Sequence, residues 1–300
     1  MKNPWKKSHT LTFALLFSVA SHAVGQTPSF VAVAPQYDTT HVYVAPVDVE
    51  SFVKCFLGTF GGASTKQVVA TVTPTPSSTT SQLLQTPYGT VSLFGFTTPI
   101  PYPFGAERTG LLVTDMDDAV KRAQAAGAEL MVATFPDPIG RDAVVRFPGG
   151  VVTQLYWHIK KPSYKAFELV PENRVYVSPD GVEAFLKSFL EFSGGRIVAD
   201  NAEADGAEIG RAAYKFRRVA VESTFGKLTV FVTDGILPFP YGRETTGYEV
   251  SDLATTLKKA TALGASIVVS PIKANGRSSA IVRFPGGYLA EIHSFDTPKQ

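Results

Sequence analysis

The chain has 300 residues, 44% hydrophobic and 18% charged, with a formal net charge of +2 and one cysteine. That balance describes a soluble globular chain of one or two domains. Its scattered basic residues argue against a nucleic-acid surface, and a lone cysteine excludes an intramolecular disulfide framework. Lys2, Lys6 and Lys7 precede a short apolar run from Leu11 to Val19, and Ser21/Ala23 or Ala23/Gly25 offer a signal-peptidase site. A permanent bilayer span takes about 20 apolar residues, more than this run supplies. The expectation is an exported protein, periplasmic or secreted. Residues 1–25 read as a signal peptide and 26–40 as an N-terminal segment, with no membrane anchor after cleavage.

Further along, His41 to Val44 alternates as a strand does. Asp48 to Phe60 sets Val49, Phe52, Phe56 and Leu57 at helical spacing, and Gly61-Gly62 ends that helix. Cys55 falls on the same face as Phe52 and Phe56, which favours a buried small residue over a reactive thiol. Val69 to Val72 and Thr90 to Phe96 read as strands, then Gly110 to Val113. Thr114 with Asp117 suggests a capping box. The helix that follows buries Met116, Val120 and Ala123 and closes at Gly127. Ala143 to Phe147 and Val151 to Trp157 form a hairpin around Pro148-Gly149-Gly150.

The same order then recurs. "ERTGLLVTDMDDAVKRAQAAGAELMV" from Glu107 aligns with "ETTGYEVSDLATTLKKATALGASIVV" from Glu244, and "AVVRFPGG" aligns with "AIVRFPGG". Roughly a third of the positions are identical at one offset, which marks a duplication. "HVYVAPVDVESFVKCFLGTFGG" from His41 matches "RVYVSPDGVEAFLKSFLEFSGG" from Arg174 at an offset four residues smaller. The second copy therefore carries a net insertion upstream of the Glu107/Glu244 block. Two similar domains are expected at 41–159 and 174–297, joined by a linker at 160–173. Each is read as tandem β-α-β-β-β modules, an α+β fold of curved, mixed or antiparallel sheets with helices on the convex side.

These segments resemble the vicinal oxygen chelate superfamily of glyoxalase, bleomycin-resistance and extradiol-dioxygenase proteins. The resemblance rests on Val113-Thr114-Asp115, Ala123 to Ala128, Phe147-Pro148-Gly149-Gly150 and Gln154-Leu155. The second copy has Val250-Ser251-Asp252, Leu263-Gly264-Ala265, Phe284-Pro285-Gly286-Gly287 and Glu291-Ile292. The hairpin departs from the family's usual D-P-D-G. The resemblance implies a cleft in each curled sheet and, in many members, a divalent metal held by first-strand residues and a last-strand carboxylate.

Those positions are His41, Arg108 and Gln154 in the first copy, and Arg174, Thr245 and Glu291 in the second. A catalytic metal needs about three good ligands, whereas arginine has no lone pair and repels a divalent cation. A metal is therefore disfavoured and no cofactor is assigned. The remaining route to one is the Glu291-x-His293 pair, which shares a strand face.

Alternation along the strands also groups Tyr43 with His41, Tyr156 and His158 with Gln154, Tyr176 with Arg174, and Phe295 with Glu291 and His293. His41, Tyr43, Arg108, Gln154, Tyr156, Arg174, Tyr176 and Thr245 are thus the expected ligand-binding residues. Glu291, with a raised pKa, and His293 are the candidate acid–base pair, against the favoured reading that Glu291 forms a structural ion pair with Arg174. The loops Tyr102 to Gly105 and Phe239 to Gly242 suit either lids or packing over the sheet edge. Arg146 and Arg283, repeated before the hairpins, suit fold inheritance.

The first functional expectation is a metal-free protein holding a small organic molecule in one or both clefts, with at most one binding tightly. The alternatives are a metal-dependent glyoxalase-like lyase or extradiol-type dioxygenase, or an interaction module with degenerate clefts. The thiol cofactor of glyoxalase-like lyases is cytosolic by the same resemblance, which fits an exported chain poorly. A homodimer is left open.

Overall fold

A computed structural model describes residues 31–296. The expected signal peptide lies outside the described residues. The first module comprises β1 (Thr39–Tyr43), α1 (Val49–Phe60), β2 (Ala63–Ser64), β3 (Val68–Ala70), β4 (Thr79–Thr86) and β5 (Gly89–Phe96). The second comprises β6 (Thr109–Leu112), α2 (Met116–Ala125), β7 (Glu129–Asp137), β8 (Gly140–Arg146) and β9 (Val152–His158). The third comprises β10 (Glu172–Val177), α3 (Val182–Ser193), β11 (Arg196–Asp205), β12 (Lys215–Ser223) and β13 (Gly226–Val232). The fourth comprises β14 (Thr245–Glu249), α4 (Leu253–Ala262), β15 (Ser266–Ala274), β16 (Arg277–Arg283) and β17 (Leu289–Phe295).

Each half forms one mixed sheet, in the order β2-β4-β5-β1-β6-β9-β8-β7, with β3 also on β4, and β11-β12-β13-β10-β14-β17-β16-β15. The two modules of a half join where β1 meets β6 antiparallel, and β10 meets β14 likewise. The first strand of each module also lies parallel to its last, as β1 does to β5 and β14 to β17. Every first and last strand is thereby central, and their side chains line the middle of the sheet.

Period-two alternation decides which residues face the cleft. Val42, Leu155, Val175 and Ile292 enter apolar cores shared with the helices. Their neighbours His41, Gln154, Arg174 and Glu291 are left on the opposite face. The helices lie between the halves: α1 packs on α4 and α2 on α3. Phe52, Phe56, Tyr248 and Phe284 fill one core, and Phe147, Phe185 and Phe192 the other.

Cys55 is buried within the first of these cores, which pushes its thiol pKa up and leaves it a packing residue. The net insertion falls before β5, because Gly89 and Gly226, which open β5 and β13, already show the larger offset. In the second half the connection after β11 forms a 3-10 turn, Gly206–Ile209, that carries the buried Glu208.

The expected capping box is replaced by a simpler cap. Helix α2 starts at Met116, so the residue before it is Asp115, whose carboxylate accepts from Asp118 N at 2.8 Å. Thr114 Oγ1 donates instead to the Val31 carbonyl. Asp252 caps α4 in the same way, through Thr255 N at 3.0 Å. Replacing Asp115 by Ala should cost about 1 kcal/mol, the usual worth of such a cap. A urea midpoint unchanged in Asp115→Ala would show that the cap carries no stability.

Candidate functional site

The first cleft is an open cavity of about 110 Å³. It brings together His41, Tyr43, Gln154, Tyr156 and His158, as alternation implied, and adds Thr39, Phe94, Phe104, Asp137 and Asp142. His41 Nδ1 lies 3.1 Å from Glu107 Oε1, which also accepts from the Tyr43 hydroxyl. Phe94 stands edge-on to the His41 ring at 5.5 Å and packs beside Tyr43. Burial pushes the Asp142 pKa well above its ordinary value, reinforced by the neighbouring Asp137 charge and opposed by a hydrogen bond from Gln154. Burial also lowers the His158 pKa. Phe104 of the Tyr102–Gly105 loop is buried against Phe135, while Tyr102 stays exposed, so that loop packs one aromatic over the cavity rim.

Arg108 and Thr245 are placed elsewhere. Both line a pocket between the halves, with Tyr43, Arg243, Glu244 and Tyr288. The reason is register: Arg108 precedes β6, and the strand residue paired with Gln154 is Gly110. The equivalent partner of Glu291 is Gly247. At Gly110 an added Cβ would strike His41 Nε2 and Thr39 Oγ1, and at Gly247 it would strike Glu291, Glu172 and Arg174. Glycine at both positions removes a side chain from the floor of each cleft and lets its neighbours close in.

The second cleft is crossed by a buried ion-pair network. Arg174 Nη1 lies 2.9 Å from Glu172 Oε1, 3.2 Å from Glu291 Oε1 and 3.4 Å from Glu208 Oε1. Arg277 grips Glu172 with both terminal nitrogens, at 2.7 and 3.3 Å. Arg218 Nε reaches Glu208 at 3.0 Å, and Asn275 Nδ2 donates to the same carboxylate at 2.6 Å. Three glutamates face three arginines, so these six charges balance. Arg174 is further held over the Phe231 ring at 4.6 Å, and Tyr176 stacks on that ring.

The expected Arg174–Glu291 pair is therefore present, and the raised pKa expected for Glu291 is reversed. Burial alone would raise it, but the Arg174 charge and the His293 contact at 2.7 Å outweigh burial and hold it below the usual range. Glu172 is opposed by burial in the same way, yet Arg277 and Arg174 keep it well below that range. Glu291 is an ionised, weak base. A larger cavity of about 320 Å³ lies beside the network, lined by Arg218, Arg277, His293 and Phe295.

Among the described residues, one group presents three possible metal-ligand atoms within 4.8 Å of one another: Glu172, Glu291 and His293. The donor set does not fit a divalent ion, because Arg174 and Arg277 each sit against both carboxylates. A guanidinium occupies the cation's place. In the first cleft His41 Nε2 would be a single good donor, Gln154 is neutral and Gly110 offers nothing.

Solved structures share this architecture. A mutant of 4-hydroxymandelate synthase from Streptomyces coelicolor superposes with TM-score 0.57 at 13% identity, covering 91% of this chain and 94% of that one. The chain has the vicinal oxygen chelate fold. The 2,3-dioxygenase LapB from Pseudomonas sp. KL28 matches with TM-score 0.52 at 11% identity over 90% of this chain and 95% of that one. A Mn(II)-bound glyoxalase from Novosphingobium aromaticivorans matches with TM-score 0.52 at 12% identity over 90% and 86%. No family model and no curated protein matches. At these identities the vicinal oxygen chelate fold is shared and the chemistry is not transferred.

Sequence reasoning missed Glu107, Thr39 and Asp142 in the first cleft, and Glu172, Glu208, Arg218 and Arg277 in the second. Thr39 and Glu172 were within reach, because each stands two residues before a chosen first-strand residue and shares its face. Glu208 and Arg277 arrive from distant segments and carry no local signal.

Proposed function

We propose that this chain is an exported protein that binds a small organic molecule in its first cleft without a metal. The observation that carries this reading is the contrast between the halves. In the second half Arg174 and Glu291 are locked in an ion-pair network and the cavity lies to its side, whereas in the first His41 itself lines an aromatic-walled cavity. Apolar walls with a few aimed polar groups suit a small-molecule site. Here the walls are Tyr43, Phe94, Phe104 and Tyr156, and the aimed groups are His41, Thr39, Asp142 and Gln154. Export rests on the basic start, short apolar run and small residues of the first 25 positions.

Calorimetric titration with nitrobenzene and with 4-nitrophenol tests the cleft. One site per chain is expected, lost in Ser92→Phe, which fills the cavity from β5. Two equivalent sites, or binding that survives Ser92→Phe, would defeat the assignment. Near-stoichiometric manganese or zinc retained through dialysis would reverse the metal-free part of the reading.

A further inference from the structure

Two arginines stand without a polar partner, and they share one pocket. Among the described residues every other arginine forms an ion pair or, as Arg283 does with Ser266, donates a hydrogen bond. Arg108 and Arg243 do neither, and both line the pocket of about 100 Å³ between the halves. Arg108 is half-buried and Arg243 exposed. Each guanidinium lies beside an aromatic ring instead, Arg108 at 5.9 Å from the centre of Tyr43 and Arg243 at 5.3 Å from that of Phe239. A guanidinium carries five N–H donors, and withdrawing them from water without an acceptor is costly. The Thr245 hydroxyl, which lines the same pocket, also makes no hydrogen bond among the described residues.

The walls of the pocket are fixed to each other. The Thr40 and Thr246 hydroxyls meet at 2.8 Å across the halves, and the Thr109 hydroxyl donates to Glu244 at 2.7 Å. The duplication does not impose the arginines, because the repeat sets Thr245 opposite Arg108 and Ala106 opposite Arg243. Glu244 is the one acidic residue lining the pocket. Glu107, bonded to His41 and Tyr43, does not line it. The lining therefore carries more positive than negative charge whether or not Glu244 is ionised.

We propose that this pocket binds a small oxyanion, a carboxylate or phosphate group, between Arg108 and Arg243. The planar guanidinium fork matches the oxygens of either group. The Thr245 hydroxyl supplies a further donor, and Tyr43 and Tyr288 close the sides. Tyr43 is also a wall of the first cleft, but the anion site stands apart from that cleft and does not depend on a ligand there.

Proton–nitrogen spectra of the arginine Nε–H groups test this during titration with sodium phosphate or sodium acetate, with ionic strength held constant by sodium chloride. Saturable shifts of Arg108 and Arg243 with a common midpoint are expected. Arg283, exposed and without an ion pair, should not follow them. In Arg243→Met the Arg108 midpoint should rise about tenfold or more, the worth of charge-assisted hydrogen bonds to one guanidinium. A lower midpoint for phosphate assigns the site to phosphoryl groups, and a lower one for acetate to carboxylates. Unmoved Arg108 and Arg243 signals with both anions overturn the proposal. So do different midpoints for the two arginines in the native protein, equal shifts at Arg283, or an Arg108 midpoint unchanged in Arg243→Met.

Discussion

Replacing Arg174 by Met is expected to destabilise the protein by about 3–5 kcal/mol, the cost of removing one partner from a buried charge network. Its Nη1 touches Glu172, Glu208 and Glu291, none of which can reach water to be resolvated. Without the guanidinium three carboxylates share an interior site with only Arg218 and Arg277, and a proton must be taken up or the half must open. The same deletion vacates the position beside Glu172, Glu291 and His293, so the variant should gain what the native chain lacks. Manganese or zinc should bind Arg174→Met and restore part of the lost stability, since a cation replaces a cation. Two measurements decide it: urea midpoints of both proteins, with and without metal. A midpoint within error of the native one would sink the structural role. Lost stability that no metal returns would show that the three donors cannot form a site even when freed.

The second large effect is on pH. Burial raises the Glu244 pKa from 4.5 to about 7, only partly offset by Thr109 and Arg108, with Glu107 adding to the rise. Because the folded pKa lies above the unfolded one, the native state binds its proton more tightly, and stability falls as pH rises from 4.5 toward 7. At about 1.4 kcal/mol per pKa unit the ceiling is about 3 kcal/mol, reduced because this carboxyl is partly open to water.

Burial raises Asp38 and Asp142 in the same direction. Glu172 and Glu291 work the other way in a separate window. Their depressed pKa values contribute stability above 4.5 that is lost as pH falls through the folded values. The protein should therefore be more stable at pH 5.5 than at pH 8 and weaken again in stronger acid. Glu244→Gln should be stabilised at pH 8 and show a shallower slope between 5.5 and 8. Equal stability of native protein at the two values, or an unaltered slope in the variant, would refute this account.

Much of the architecture could be read from the residues. The duplication, the module order and the facing of His41, Tyr43, Gln154, Tyr156, Arg174 and Glu291 follow from self-similarity and period-two alternation, which are properties of short segments. The strand β4 was not anticipated, because Thr79 to Thr86 is largely polar and its pairing partner β5 supplies the apolar side. Arg108 and Thr245 were assigned to clefts because the family resemblance puts a first-strand ligand position on each. Only the register of β6 on β9 and of β14 on β17 shows that Gly110 and Gly247 hold the inward places.

The sequence by itself determined which residues share a face of each sheet, since a strand's alternation is set by its own backbone. Tertiary structure decided what stands opposite that face. Glu107 meets His41 across 66 residues and Arg277 meets Glu172 across 105. Glu208 enters on a turn within the connection that carries the insertion. Such partners are chosen by strand register and by the path of the loops, so the same fold can hold a His41–Glu107 pair beside a cavity in one half and a guanidinium network in the other.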